Sequence, residues 1–292
     1  MEKINKVAII TNYNITEKAL AAATVADKFI KFGCEALIFA SAKERLSRLR
    51  RLRPEFVFAS VDEVYAGADI LVILGGDGTI LEGARRAALN GTPILGINLG
   101  RLGFMAELEM DEIGLLSRLF DGNYSIDERA MLGVEMIDTK GQRKLASFAL
   151  NDAVVTGGSV ARIVDLELLE GGEQVTTYRA DGLVVATPTG STAYSLSAGG
   201  PIVDPKLSCF CVTPICPHSM VARPLVFSDS AELRVKNICV REKVLHLTLD
   251  GRMNFDLFFG DVVVITKSEM TTRLIRLKDE GFYSKIRMKK FI

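Results

Sequence analysis

The chain has no net charge: its 292 residues carry 36 Lys and Arg against 36 Asp and Glu. No global field therefore draws it to nucleic acid, and any anion site has to be assembled locally. No uninterrupted apolar run is long enough to span a bilayer, and the N-terminus leads straight into a short strand, so no signal peptide is expected. A soluble protein of the cytoplasm, with no membrane partner, is the expectation. Cysteine is sparse. Cys34, Cys209, Cys211, Cys216 and Cys239 form no Cys-x-x-Cys pair, and an odd count in a chain of this length does not suit a disulfide framework. Cys209, Cys211 and Cys216 with His218 would be the material for a zinc site. However, Cys209 and Cys211 alternate within Cys-Phe-Cys-Val, as small apolar residues on one face of a strand do, so no metal site is expected. Internal repeats and low-complexity segments are also missing.

What is there is ample core material. Hydrophobic residues make up 48% of the chain and charged residues 25%, and the length suits about two domains. Residues 71–79 read Leu-Val-Ile-Leu-Gly-Gly-Asp-Gly-Thr, an apolar run broken by three glycines around one acid. Such a run reads as a strand buried on both faces, as inside a parallel sheet. Gly75, Gly76 and Gly78 permit unusual backbone angles and let main-chain N–H groups press against a ligand, with phosphate the natural candidate. Thr79 is expected to open the following helix, whose positive end favours an anion, at the carboxyl end of a sheet strand where α/β proteins bind ligands. Asp77 stands out, because a carboxylate repels phosphate. Its role is that of proton acceptor, metal contact or helix cap.

Around this stretch the pattern repeats. Residues 7–10 form a β run, Ala21, Val25, Phe29 and Phe32 recur at helical spacing before Gly33, and residues 36–39 and 93–97 are further strands. Right-handed crossovers make a parallel sheet the default, so the N-terminal part reads as a Rossmann-like open α/β sheet. Residues 43–53 carry five arginines and Lys43 against Glu44, with Leu46, Leu49 and Leu52 spaced by three. This reads as a solvated face, the alternative being a polyanion or membrane contact. Residues 111–120 suit a short helix. From about Arg129 the apolar runs become short, β-branched and separated by turns such as Thr139-Lys140-Gly141 and Gly171-Gly172, which marks a β-rich, sandwich-like second domain. The expected division is residues 1–124, with a returning tail at about 276–292, and residues 125–275.

Residues 187–201, Thr-Pro-Thr-Gly-Ser-Thr-Ala-Tyr-Ser-Leu-Ser-Ala-Gly-Gly-Pro, follow a buried-looking strand at 183–186 and are dense in small and hydroxyl residues. They suit either the lining of a polar ligand site or a capped polar loop. Arg179 stands two residues before Asp181. A guanidinium there is either a fork for phosphate oxygens or half of a surface pair with an acid such as Glu173.

Taken in order, Gly75-Gly76-Asp77-Gly78-Thr79, Asn151-Asp152, Asp181-Gly182 and residues 187–201 resemble the NAD kinases, and the similarity runs over most of the chain. The glycine turn is shared with diacylglycerol kinases; the long Thr-Pro-Thr-Gly-Ser-Thr-Ala-Tyr-Ser stretch is far more specific. Residues 98–104 and 213–226 also resemble the family. The resemblance implies transfer of a phosphoryl group from ATP or polyphosphate, with Mg²⁺ carried on the nucleotide, to the 2′-hydroxyl of the adenosine ribose of NAD. It implies Asp77 as general base and Gly75, Gly76, Gly78 and Thr79 as the phosphate-handling turn. Asn151 and Asp152 match an Asn-Glu pair that binds NAD, Asp152 being one methylene shorter than the usual Glu. Asp181 matches a carboxylate that contacts the dinucleotide, and a cation at the position of Arg179 tends in the family to accompany selectivity for NAD over NADH. Thr192, Ala193, Tyr194 and Ser197 match residues lining the adenosine and nicotinamide pockets. Asp250-Gly251 also fits, with Arg252 where Gln is common. A homodimer or homotetramer is implied, in which a neighbouring subunit helps to complete the NAD site. The competing readings are a lipid kinase of the diacylglycerol type and a non-catalytic dinucleotide sensor.

Overall fold

The strand β4, Ile70–Gly75, is buried along its whole length, as a run with no polar residue requires when helices cover both faces of a parallel sheet. It lies between β1 (Lys6–Ile10) and β5 (Ile94–Asn98), and β1 continues outward to β2 (Glu35–Phe39) and β3 (Phe56–Ala59), every pair parallel. The helices α1 (Thr16–Lys31), α2 (Lys43–Arg48), α3 (Val61–Ala66) and α4 (Asp77–Asn90) alternate with these strands. The computed structural model describes residues 4–100, 103–158, 162–279 and 281–288. Its chain divides into Met1–Glu128 with Thr272–Ile292, and Arg129–Thr271.

The first unit departs locally from sequence expectation. Phe32 is not on the buried face of α1; it follows the helix end and stacks on Phe120 at 4.3 Å, while Ala19, Ala22, Ala23, Val25, Ala26 and Phe29 form the face that packs. In the basic run only Leu46 is fully buried. The helix α2 ends at Arg48, and Arg50 takes a left-handed conformation (φ 54°), so Leu52 leaves the helical face. Arg45 donates to Thr16, Arg48 pairs with Glu44 and Arg53 with Asp27, which is how a solvated basic face is usually occupied. After the two-residue strand β6 (Leu108–Glu109), the expected helix is a 3₁₀ turn, Met110–Leu116, running into a single α turn, α5 (Ser117–Phe120). Gly114 in its middle weakens α-helix formation.

Two antiparallel sheets build the second unit. One joins β10 (Val164–Glu170) to β11 (Glu173–Ala180) and β15 (Leu233–Asn237), and β15 to β18 (Val262–Arg276), which also pairs with β7 (Ser125–Ile137), itself paired with β8 (Arg143–Ala149). The other runs in the order β14 (Leu225–Ser228), β13 (Cys209–Ile215), β12 (Gly182–Ala186), β9 (Asp152–Gly157), β16 (Val244–Leu249) and β17 (Met253–Phe258). Alternate residues such as Leu166 and Leu168, Leu183 and Val185, and Leu245 and Leu247 enter one shared core, the signature of a sandwich. The opposite face of β12, with Val184 and Ala186, packs against Val203, Cys209 and Cys211. Strand β12 is therefore apolar on both faces. The chain then forms the short helix α6 (Tyr194–Ser197) and, at its far end, α7 (Phe282–Met288).

Candidate active site

In the first unit β4 delivers the chain into α4 through the glycine turn. The helix begins at Asp77, two residues earlier than Thr79, and Gly76 is the capping position with φ −93° and ψ −178°. None of the three glycines adopts a positive φ: Gly75 is in the strand and Gly78 in the helix. The turn is built on closeness instead. A Cβ on Gly75 would overlap the Thr79 side chain, whereas Gly76 faces open space. The N–H groups of Thr79 and Ile80 close the first turn on Gly76 O at 2.9 and 3.2 Å, and the positive end of the helix dipole lies at that turn.

Asp77 does not cap its own helix. Its carboxylate accepts the backbone N–H of Phe104 at 2.8 Å on Oδ2 and that of Met105 at 3.1 Å on Oδ1. The approach is tight enough that a Cβ on Gly103 would collide with the carboxylate, so glycine is required there for space. Asn98, at the end of β5, closes the preceding bend by donating to Gly100 O at 2.8 Å and accepting from Gly100 N. Residues 101 and 102 of the family-like stretch lie outside the described residues.

In the second unit three segments distant in sequence are tied at one end of β9 and β12. Asp250 sits in a left-handed conformation (φ 51°), and its carboxylate accepts the N–H groups of Leu150 (3.0 Å), Asn151 (2.7 Å) and Asp152 (3.2 Å). Thr187 donates its N–H to Asn151 O and its hydroxyl to Leu150 O at 2.6 Å, and accepts from Gly190 N. Gly190 passes so close to the Asn151 backbone that any side chain would clash. Asp152 is 4% exposed. Burial, and then the charge of Asp250, push its pKa up to about 7. Asp250, which the family resemblance takes in only as the pair Asp250-Gly251, is the residue that ties these segments together.

The loop after β12 divides its hydroxyls by role. Ser191 bonds Pro188 O and Val203 N, and Ser195 bonds Thr213 Oγ1, all buried and internally satisfied. Arg129 Nη1 donates to Thr189 Oγ1 at 3.2 Å. Thr192 and Ala193 are half-buried and Tyr194 and Ser197 exposed, so the residues expected to meet a ligand lie on the open side of a loop braced from within. Arg179 and Asp181 are not brought to this end. Gly182 pairs with Thr156 while Ala186 pairs with Asp152, so Asp181 lies at the opposite end of β12, roughly 16–17 Å away along the strand. Arg179 is half-exposed and pairs with Asp165 at 3.8 Å, not with Glu173. Cys209 and Cys211 are buried in β13, Cys216 is exposed, and no group of three His, Cys, Asp or Glu gathers among the described residues.

Two family models match this chain: the ATP-NAD kinase N-terminal domain over residues 24–124 and the ATP-NAD kinase C-terminal domain over residues 150–277. An NAD kinase of Citrifermentans bemidjiense is 39% identical over 287 residues, 98% of each chain. One of Moorella thermoacetica is 47% identical over 229 residues, 78% of this chain and 73% of that one. Among solved structures, yeast NADH kinase complexed with NADH superposes with a TM-score of 0.88 at 26% identity, covering 97% of this chain and 86% of that chain. An NAD kinase from Archaeoglobus fulgidus in complex with ATP gives 0.68 at 26% identity, over 97% and 98%.

Proposed function

We propose a function that proceeds from one premise, that this chain belongs to the NAD kinase family: it transfers a phosphoryl group from ATP, or from polyphosphate, to the 2′-hydroxyl of the adenosine ribose of NAD. The carrying observation is the Asp77 carboxylate, held by two backbone N–H groups at the mouth of the glycine turn. A pure binder of phosphates gains nothing from an acid there. A phosphotransferase uses it to accept the proton of the attacking hydroxyl as the new O–P bond forms and the nucleoside diphosphate leaves.

In this reading the first unit supplies the chemistry. Gly75, Gly76 and Gly78 leave room for phosphate, and the N–H groups at the start of α4, with Thr79 in its first turn, offset developing charge. Mg²⁺ would arrive as part of the nucleotide substrate. The second unit holds the dinucleotide. Asn151, Asp152, Thr192, Ala193, Tyr194 and Ser197 gather at one end of β12, and the Asp152 carboxylate, which makes no hydrogen bond to the described residues, is suited to accept from ligand hydroxyls.

Arg179 and Asp181 enter differently. Their separation from Asp152 by the length of β12 supports a homo-oligomer in which these two residues serve a neighbouring protomer's dinucleotide. No helix among the described residues is long and apolar enough to cross a membrane. The test is to incubate purified protein with NAD, Mg²⁺ and each donor and to read product with an NADP-specific dehydrogenase. Absence of NADP with every donor, under conditions where NAD binds, would overturn the reading.

A further inference from the structure

The loop that holds Asp77 is itself held from the C-terminal segment. Glu107 accepts the N–H groups of Leu277 and Lys278, both at 2.8 Å, and Arg276 Nη1 donates to Met105 O at 3.3 Å and to Glu107 Oε2 at 3.2 Å. The most buried cation of this clamp is Lys285 on α7, 6% exposed. Its ammonium donates to Ala106 O at 2.6 Å and to Phe104 O at 3.4 Å, and the Phe104 ring lies against Phe282 with centroids 6.1 Å apart.

The Phe104 carbonyl and the Met105 N–H belong to one peptide unit. That unit is gripped at both ends, by the Lys285 ammonium on its oxygen and by the Asp77 carboxylate on its N–H. A cation on the oxygen draws electron density out of the peptide and makes its N–H a stronger donor, as in any polarised chain of hydrogen bonds. The geometry points to Lys285 as a positioning residue for phosphoryl transfer: through the Phe104–Met105 peptide it aims the Asp77 carboxylate at the acceptor hydroxyl. This rests on the reading of Asp77 as the base.

The charge on Lys285 is not secure. Burial and then the positive charge of Arg276 lower its pKa to about 8, Lys278 adding to the fall while Glu107 and Asp77 oppose it. Above that pH the neutral amine is a weaker donor to both carbonyls and its pull on the peptide fades.

The experiment measures kcat, the KM for NAD and thermal melting for the parent, K285M, K285Q, D77N and the double variant D77N/K285M. In K285M and K285Q kcat falls by about tenfold or more while KM stays within about threefold. On the D77N background K285M costs less than about twofold, because the group it aims is gone. In the parent kcat declines as pH rises through about 8, and K285M lacks that limb. A folded K285M with parental kcat, or the same tenfold loss repeated on D77N, overturns the proposal. If K285M does not melt cooperatively, K285Q carries the comparison, and if neither does, the parental pH limb decides. Parental turnover in D77N would instead strike the Asp77 reading itself, which separates the two failures.

Discussion

Asp250 and Asp152, 98 residues apart in sequence, exchange backbone contacts at one turn: the Asp250 carboxylate accepts the N–H of Asp152 at 3.2 Å, and the Asp250 N–H donates to Asp152 O at 3.0 Å. The exchange places a fixed negative charge beside a buried carboxyl group. Asp250 spends its oxygens on three N–H groups, which leaves the side chain of Asp152 to take the electrostatic cost.

That cost is visible in pH. The folded-state pKa of Asp152 is raised to about 7 by burial and then by Asp250, so its contribution to stability is greatest below about 4 and is lost as pH rises toward 7, where only the unfolded chain has already ionised. Asp152→Asn removes the penalty. The variant is expected to be more stable than the parent at pH 8, by at most about 4 kcal/mol, with the gap closing toward pH 5, while its KM for NAD rises. Thermal melts at pH 5, 6.5 and 8 check this, and a gap independent of pH would contradict it.

Asp77→Asn keeps the size of the side chain but removes the proton acceptor, and its amide nitrogen cannot accept one of the two N–H groups now bound. Turnover is expected to fall at least ~100-fold with NAD binding largely kept. Gly103→Ala drives a methyl into the same carboxylate and should lower kcat while leaving the dinucleotide segments of the second unit untouched. Steady-state kinetics and NAD titration distinguish these from a loss of binding.

Mixed oligomers test whether Asp181 serves a neighbour. D77N and D181N are each expected to be inactive or nearly so. Co-expressed, they should regain measurable NADP formation, because a D181N protomer keeps Asp77 and can receive Asp181 from a D77N partner. No recovery in verified hybrid oligomers would return Asp181 to its own chain's site or to a structural role.

The basic run offers a control. Arg48 is paired with Glu44, and Arg50 and Arg51 lie beyond the end of α2. Replacing Arg48, Arg50 and Arg51 together with Gln should change stability by no more than about 0.5 kcal/mol and leave kcat and the KM for ATP nearly unchanged. A rise in KM that steepens at low salt would show that these arginines attract the polyanionic donor.

Local patterning alone determined the buried strand Ile70–Gly75, the parallel α/β sheet around it, the change of texture to short β runs near Arg129 and the two motifs that resemble the NAD kinases. These are properties of a few neighbouring residues: periodicity decides which faces are buried, and glycine decides where a chain can turn or be approached closely. Only the tertiary structure decided the partners of Asp77, which lie 27 and 28 residues away, the anchoring of Asn151 by Asp250 across 99, and the grip of Lys285 on Ala106 across 179. It alone separated Arg179 and Asp181 from Asp152 by the length of a strand, and turned Ser191 and Ser195 inward while Tyr194 and Ser197 face out. The physical reason is that a hydrogen bond depends on distance and direction in space, and spacing along the chain encodes neither once strands and loops from remote segments meet.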